Sequence, residues 1–487
     1  MNASVTPQSQ NHVSSSSLFF IQLFATMAFA VLYATLVLYT TKKLHFTESS
    51  ANALMGVFGA FNYGLHLFGG YLGGRYLSNR TLFILGMILQ VAGCYFLSSA
   101  SLDGLYWGLA MFLTGSGLNV TCINMMLTQR FSPEDNRRES AFLWNYAGMN
   151  LGFFIGFSIS GYFQLSENYH QLFLLTTLGN IFAVILTLVF WKQLKDISTP
   201  LTEQNNKEKN KRFILGILTL VVLVPIVYKM LTLTNLTSYL VILLGTIIFV
   251  LLCLLTYRHQ DNAEKAKMAA YLLLMTGALV FWSLYQLAPM GLTLFAEHNL
   301  NLNLMGYTIA PQWLQNINTI VIVIGGPLLA WYFNRLRKKG LRFDIPLQFS
   351  CSLLFIGFGM LVLPLGINVA DTDGKVGVQW MILSYILQSI GELLISPIGY
   401  AMIGKLAPKK YQGIMMGSWM MVTGVASVLA SYVSGMMPQD SAAPALMTNP
   451  GFSHIFVLLG WGAVLAAVLL SCFIPLLRKL ITPPNAA

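Results

Sequence analysis

Charged side chains are scarce in this sequence. Asp, Glu, Lys and Arg make up 9% of its 487 residues, whereas 56% of the residues are hydrophobic and 13% are aromatic. A soluble domain has about 25% charged residues and needs them on its surface. The composition therefore excludes an ordinary soluble enzyme, and the hydrophobic content excludes a disordered chain. An integral membrane protein remains.

Cysteine is also scarce, and the residue patterns of catalytic sites are missing. The five cysteines are dispersed, odd in number and without CxxC spacing, and all lie in apolar runs. The apolar runs hold no paired carboxylates, no histidine spacing typical of metal sites and no glycine-rich phosphate loop. We therefore predict small packed cysteine side chains, no metal, no cofactor and no enzymatic activity.

Long hydrophobic runs fill most of the chain, and each is near the roughly 20 residues that cross a bilayer. Because backbone polar groups in lipid need internal partners, such runs are predicted to be helices. No ten-residue alternation typical of a β-barrel is present. Fourteen spans are predicted, at residues 17–40, 49–75, 81–100, 104–130, 137–165, 169–194, 213–228, 236–257, 265–290, 307–336, 343–366, 377–405, 410–437 and 451–482.

A polar, charged linker at 192–212 separates the spans into two blocks of six, with an inserted pair after the linker. Two six-helix bundles are typical of transporters that bind substrate near the membrane midplane. Four regions are predicted: a disordered tail at 1–16, a bundle at 17–194, a linker with the inserted helix pair at 195–262, and a second bundle at 263–487.

The net charge of +11 reflects where the basic residues lie. If the N-terminus is inside, 24 of the 28 Lys and Arg fall in inner loops and flanks, and only Lys42, Lys43, Lys229 and Lys375 fall outside. Cytoplasmic loops of membrane proteins carry such an excess. The charge therefore predicts an inner-membrane protein with both termini cytoplasmic, which contacts the lipid bilayer and no nucleic acid.

Ionisable residues inside the predicted spans are few. Of the 17 acidic residues, 16 map to loops, linkers or helix ends, and the exception is Glu392, between MILSYILQSIG and LLISPIGYAMI. His66 is the only histidine deep in a span, and no Lys or Arg lies deep in one. Such residues are costly in lipid and mark functional sites. Glu392 is predicted to contact a ligand or proton, and the alternative is a neutral carboxyl hydrogen-bonded between helices. For His66 a packed neutral role is favoured over a functional one.

Asparagine and glutamine are the other polar residues of the spans. Some are expected to hydrogen-bond between helices, and others to line a polar cavity. They are Gln22, Asn62, Asn145, Asn150, Gln286, Gln315, Asn316, Asn318 and Gln388.

Three stretches of the second half resemble one family. QSIGELLISPIGYAMIGKLAPKKYQGIMMGSW (388–419), FWSLYQLAPMGLTLF (281–295) and PQWLQNINTIVIVIGGPLLA (311–330) are similar to the tenth, seventh and eighth helices of the proton-dependent oligopeptide transporters. These transporters belong to the major facilitator superfamily. The resemblance implies an all-α major facilitator fold with two inserted helices.

The first half carries the same resemblance more weakly. NRRESAFLWNYAGMNLG (136–152) is similar to the fifth-helix signature, and GGYLGGRYLSNRT (69–81) resembles the loop after the second helix, with Gly74 in place of the usual aspartate. The resemblance thus covers nearly the whole chain.

Charged residues of the family's first half are absent. Its first-helix Glu-x-x-Glu-Arg falls on Gln22, Ala25 and Thr26, and its next arginine falls on Tyr33. The fourth-helix lysine aligns to Val120, and the seventh-helix Glu-Gln pair reads Gln286-Leu287. A buried charge without its partner is unfavourable, so the loss is coordinated.

The resemblance implies candidate site residues. Glu392 matches the glutamate associated with the substrate's amino end, and Glu392 and His66 are the candidates for proton coupling. Pocket or gate positions are matched by Asn150, Asn318, Trp282, Tyr63, Tyr146 and Trp419, and Gln286 and Gln22 stand where the family has acids.

Taken together, these residues predict a monomeric, alternating-access secondary transporter of peptide-like small molecules with atypical proton coupling. One alternative is transport of a non-peptide polar metabolite, such as a siderophore or an amine-bearing compound. An alternative of another class is a non-transporting membrane sensor. The direction of transport and the use of protons stay open.

Overall fold

The computed structural model describes residues 7–131, 135, 137–304, 306–340, 343–440 and 442–481. For residues 7–15 it describes the backbone alone, as the first turns of the first helix. Of the tail predicted at 1–16, residues 1–6 lie outside the described residues.

Helices dominate the described residues, as predicted. Fourteen of them are 20 or more residues long: α1 Pro7–Lys42, α2 Glu48–Leu72, α3 Asn79–Ser98, α4 Leu102–Thr128, α5 Arg137–Leu165, α6 Tyr169–Val189, α7 Asn206–Thr232, α8 Thr234–Tyr257, α9 Asn262–Tyr285, α11 Pro311–Lys338, α12 Ile345–Asn368, α13 Val378–Leu406, α14 Gln412–Gly435 and α15 Ala445–Cys472. Two are short: α10 Gly291–Asn299 and α16 Ile474–Ile481.

Four two-residue strands accompany α10 and the start of α13. They are β1 Leu300–Asn301, β2 Asn303–Leu304, β3 Tyr307–Thr308 and β4 Val376–Gly377. β1 pairs with β4 in parallel, with Leu300 opposite Val376, and β2 pairs with β3 in antiparallel fashion.

Twelve of the described helices are long and apolar enough to cross a membrane. The predicted number of fourteen spans is therefore supported for twelve, and the all-α membrane class is confirmed. α2 and α5 have the length but are more polar, because α2 carries Asn52, Asn62 and His66 and α5 carries Asn145 and Asn150. These amides and the histidine lower the mean hydropathy of the two helices.

Several predicted spans differ from the helices in their ends: α7 begins at Asn206 where 213 was predicted, and α11 begins at Pro311, after β3 Tyr307–Thr308, where 307 was predicted. Two further predicted spans run across a helix break. The span at 265–290 ends earlier, because α9 stops at Tyr285 and Pro289 disfavours a helical Ala288 before it. The span at 451–482 is divided into α15 and α16, because Pro475 has no N–H to continue the hydrogen-bond ladder.

The described chain forms two compact units. The first unit contains residues 1–45 and 61–234, and the second contains 46–60 and 235–487. The inserted helices are divided between them, α7 in the first unit and nearly all of α8 in the second.

In the first unit, small residues bring α5 close to α1. Gly148, Gly152 and Gly156 recur every four residues on one face of α5, and a Cβ at Gly152 would lie 2.5 Å from the carbonyl oxygen of Leu23. Small-residue stripes of this kind allow close helix packing in lipid. The contact places the amides of α1 and α5 on facing surfaces.

In the second unit, Gly391 has the same role. A Cβ there would lie 3.0 Å from the Ser352 carbonyl oxygen of α12 and 3.0 Å from the Phe281 ring of α9. The absence of a side chain lets α13 approach α9 and α12 at the turn that carries Glu392.

Candidate functional site

Glu392 lies in the interior of α13, partly buried, in the second unit. Asn318 of α11 donates a hydrogen bond from Nδ2 to Glu392 Oε2 at 2.7 Å. The Tyr285 hydroxyl, at the end of α9, donates a second one to the same carboxyl group. Three helices therefore converge on this one acidic side chain.

Asn318 also ties the site to the preceding turn of α13. Its Nδ2 donates to Ser389 Oγ at 2.9 Å, and Ser389 Oγ donates to the Tyr385 carbonyl at 2.7 Å. Ser389 and Glu392 are three residues apart and share one face of the helix. Asn318 is thereby fixed in the position that presents its amide to the carboxylate.

The hydrogen-bond partners of Glu392 are neutral, and it forms no salt bridge with a described residue. A charged carboxylate in a low-dielectric region is costly without a counter-ion. Neutral donors orient the group and leave its charge uncompensated. The arrangement is suited to accept a positively charged ligand or a proton.

An aromatic wall stands beside this carboxylate. The Trp282 and Tyr285 rings meet edge to face with centroids 5.3 Å apart, and Phe281 stacks on Tyr285 at 6.1 Å. The indole Nε1 of Trp282 is buried and has no hydrogen-bond partner among the described residues. A buried N–H without a partner costs free energy, so Trp282 offers a donor to a bound molecule.

Gln286 and Trp419 also belong to the second unit. Gln286 follows α9 as its C-cap and is buried. Trp419 of α14 is buried against Gly399 of α13 and faces the Phe349 ring, with centroids 6.3 Å apart. Gly399 is seven residues, about 10 Å along the helix, from Glu392, so Trp419 lies two turns away from the carboxylate.

In the first unit, Gln22 joins α1 to α5. Its Nε2 donates to Thr26 Oγ1 at 2.7 Å, and Asn145 Nδ2 donates to Gln22 Oε1 at 3.4 Å. The Asn145 Oδ1 atom is buried without a partner among the described residues. Two positions of the family's charged first-helix motif therefore hold a neutral hydrogen-bonded pair in this chain.

The other candidates of the first unit form separate pairs. His66 is 8% exposed, its ring meets the Tyr63 ring at 5.9 Å, and its Nε2 has no partner among the described residues. Asn150 is buried, and its Nδ2 donates to the Tyr146 carbonyl at 2.9 Å within α5. The packed neutral role favoured for His66 stays a prediction, and its burial is compatible with it.

Two residues of the Glu392 cluster were absent from the predicted site, Tyr285 and Ser389. Both had a signal in the sequence, because Tyr285 is three residues from Trp282 and Ser389 three residues from Glu392, the spacing of helical neighbours. No group of three or more His, Cys, Asp or Glu among the described residues could hold a metal ion.

Known proteins resemble this chain over nearly its whole length. The sequence profile of the POT family matches residues 80–449. Dipeptide and tripeptide permease A of Cronobacter turicensis is 31% identical over 468 residues, covering 95% of this chain and 92% of that protein. The protein of the same name from Escherichia coli (strain K12) is 28% identical over 476 residues, with coverage of 96% and 93%.

Solved structures agree with the sequence relatives. A POT family transporter in complex with 5-aminolevulinic acid superposes with a TM-score of 0.81 at 25% identity, over 96% of each chain. One in complex with a thioalcohol-conjugated peptide has a TM-score of 0.81 at 26% identity, also over 96% of each chain. With the family profile matched over most of the sequence and a relative above 30% identity, this multi-pass membrane protein belongs to the POT family.

Proposed function

We propose that this chain is a secondary transporter of peptides and peptide-like small molecules, and that Glu392 binds the amino end of the substrate. The observation that carries the proposal is the intramembrane carboxylate held by neutral donors from α9 and α11. The dipeptide and tripeptide permeases among its relatives support the substrate class. Transport proceeds by alternating access, in which one site opens to each side of the membrane in turn.

Each side chain of the Glu392 cluster has a role in this proposal. The carboxylate accepts hydrogen bonds from the substrate ammonium, and Asn318 and Tyr285 hold it in place. The free indole N–H of Trp282 donates to a carbonyl oxygen of the substrate. Specificity follows because an analogue without the ammonium leaves a buried carboxylate without a counter-ion.

The candidate residues of the first unit are neutral. Gln22, Asn145 and Asn150 carry amides, Tyr63 and Tyr146 carry hydroxyl groups, and none of them could supply a cation for a substrate carboxylate. Gln286 and Trp419 are proposed to line the path in the second unit. We infer that this chain accepts peptides whose carboxyl end is recognised weakly or is blocked.

A counterflow experiment tests the function. Proteoliposomes loaded with unlabelled dialanine should take up labelled dialanine by exchange, which requires no driving ion. Free-amine dipeptides and dialanine amide should compete, and N-acetyl-dialanine should compete at least 10-fold less well, because it cannot pair with Glu392. Exchange equal to that of empty liposomes would contradict peptide transport, and counterflow of a labelled siderophore or non-peptide amine in place of dialanine would favour the alternative substrates.

We further propose that the protein lies in the inner membrane with both termini and residues 195–212 in the cytoplasm. The support is the distribution of Lys and Arg, 24 on the inner side and four outside. Reporter fusions after Ala487 and near Asn205 should be active as cytoplasmic reporters and inactive as periplasmic ones. A fusion after Asp373, in the loop that carries Lys375, should give the reverse pattern, and periplasmic activity at Asn205 would overturn the topology.

A further inference from the structure

A cavity of about 350 Å³ lies in the first unit, at the start of α3. Its walls come from three parts of the chain: residues 76–81 at and just before the start of α3, the segment 190–205 that follows α6, and the beginning of α7. The segment is held in place because Leu201 N donates to the Gly74 carbonyl at 2.8 Å, and Arg130 donates to the Lys195 carbonyl at 2.7 Å.

Basic and hydroxyl groups line this cavity. Arg80, Lys195 and Lys209 supply three positive charges, and Ser78, Thr81 and Thr202 supply hydroxyl groups. Phosphate oxygens are bound in proteins by such combinations of Arg, Lys and hydroxyl donors. The chemistry of the wall is that of a site for a phosphate ester.

Arg80 is oriented before any ligand arrives. Its guanidinium lies 4.1 Å from the centroid of the Trp191 ring and donates a hydrogen bond to the Trp191 carbonyl. Its Nε is buried with no partner among the described residues. A buried guanidinium N–H without an acceptor is unfavourable, and a phosphate oxygen would supply one.

One acidic residue, Asp196, also lines the cavity, and it is largely committed elsewhere. Its Oδ2 accepts from the backbone N of Asn79 at 2.9 Å and from Asn79 Nδ2 at 3.2 Å, at the first residue of α3. Burial raises the pKa of the Asp196 carboxyl, against the opposing effect of these hydrogen bonds and of Arg80 and Arg130. The wall of the cavity therefore keeps a net positive charge. The backbone N–H at the N-terminus of α3 already has a hydrogen-bond acceptor in Asp196.

The apolar part of the cavity indicates a lipid rather than a free phosphate. Phe213 lines the cavity and is 47% exposed, and Ile214, Leu218 and Val221 continue an exposed apolar surface along α7. α7 is long and apolar enough to cross a membrane. Four basic residues, Lys207, Lys209, Lys211 and Arg212, immediately precede this apolar stretch. Basic clusters at the end of a transmembrane helix bind anionic lipid headgroups.

We propose that this cavity is a binding site for the headgroup of an anionic phospholipid. Arg80, Lys195 and Lys209 contact the phosphodiester, and the acyl chains lie along the exposed face of α7 beyond Phe213. The site is separate from the Glu392 cluster, which belongs to the other unit. It gives the protein a preference for membranes that contain anionic lipid on the side that carries its basic loops.

Native mass spectrometry of the purified full-length protein tests the proposal. The protein in neutral detergent is titrated with dioctanoyl phosphatidylglycerol, with dioctanoyl phosphatidylcholine and with inorganic phosphate. The double variant Lys195→Gln/Lys209→Gln should bind phosphatidylglycerol about 30-fold more weakly than the wild type, or roughly fivefold for each lysine removed. The double variant keeps Arg80 and its contacts with Trp191, which should preserve the fold of the segment.

The matched control is Lys338→Gln/Lys339→Gln, which removes the same charge from exposed residues at the end of α11. It should bind phosphatidylglycerol as the wild type does. Equal affinities in all three proteins would overturn the proposal, as would inorganic phosphate that binds alone and displaces the lipid. If the double variant has a lowered melting temperature, the two single variants provide the measurement, each with an expected fivefold loss.

Discussion

Glu392→Gln should weaken the binding of an amine-bearing substrate by about 30-fold or more. The substitution keeps the shape of the side chain and its capacity to accept from Asn318 and Tyr285, but it removes the negative charge. An ammonium group within about 4–6 Å favours the ionised carboxylate. Loss of one partner of a desolvated charge pair costs roughly 2–5 kcal/mol. Equilibrium binding of dialanine to wild-type and variant protein in detergent measures the effect.

A structural glutamate would behave in the opposite way. It would leave the affinity unchanged and lower the melting temperature, so both quantities should be measured on the same preparation. Glu203→Gln is the matched control, because it removes one carboxylate from an exposed position in the linker before α7. Unchanged affinity in Glu392→Gln would remove the basis for Glu392 as the anchor of the substrate.

Binding should also depend on pH through this residue. An ammonium ligand requires the ionised carboxylate, so binding either releases a proton from Glu392 or takes place only where the group is already charged. In the glutamine variant the remaining affinity should vary less with pH than in the wild type. A pH dependence that is identical in both proteins would place the titrating group elsewhere.

Proton-driven accumulation of simple dipeptides should be weak or absent. A gradient of one pH unit coupled one to one would concentrate a substrate about tenfold, since one pH unit is worth about 1.4 kcal/mol. The positions that carry charge in the resembling family hold Gln22, Ala25, Thr26 and Val120 here. Glu392, and after it His66, are the only candidates left to bind the coupled proton. We therefore expect the ratio of dialanine concentration inside to that outside to stay near 1.

Proteoliposomes with an inward proton gradient and an external dialanine label measure this ratio directly. The permease A of Escherichia coli, assayed in the same vesicles, provides a family comparison, and a proton ionophore provides the control for the gradient. The prediction would be contradicted if this protein accumulated dialanine to the same level as the Escherichia coli permease and the ionophore abolished that accumulation. Exchange of dialanine without accumulation would agree both with peptide transport and with the absence of proton coupling.

Local properties of the chain determined its class and its helices. Hydrophobic runs of about 20 residues specify transmembrane helices wherever they occur, because the bilayer leaves backbone polar groups no other partners. The fourteen long helices follow these runs. The motifs around 388–419 and 281–295 were sufficient to indicate the family, and the isolation of Glu392 among apolar residues identified it as a candidate.

The breaks inside these runs were harder to place. Residues 286–290 and Phe473 are about as apolar as their neighbours, and a hydropathy pattern continues through them. Helix ends there depend on Pro289 and Pro475, which act on backbone geometry and hydrogen bonding and leave hydropathy unchanged. α10 and α16 are consequences of these two prolines that the pattern did not show.

The sequence by itself determined that this protein is a helical membrane protein of a known family with one acidic residue inside its second half. Only the tertiary structure decided what that residue contacts. Asn318 is 74 residues from Glu392 in the chain, and Tyr285 is on a third helix. The periodicity of one helix tells which face is apolar but carries no information on which side chain of another helix lies opposite. The close approach at Gly391 brings α13 against α9, the helix that carries Tyr285, and the separate packing of α11 on α13 supplies Asn318.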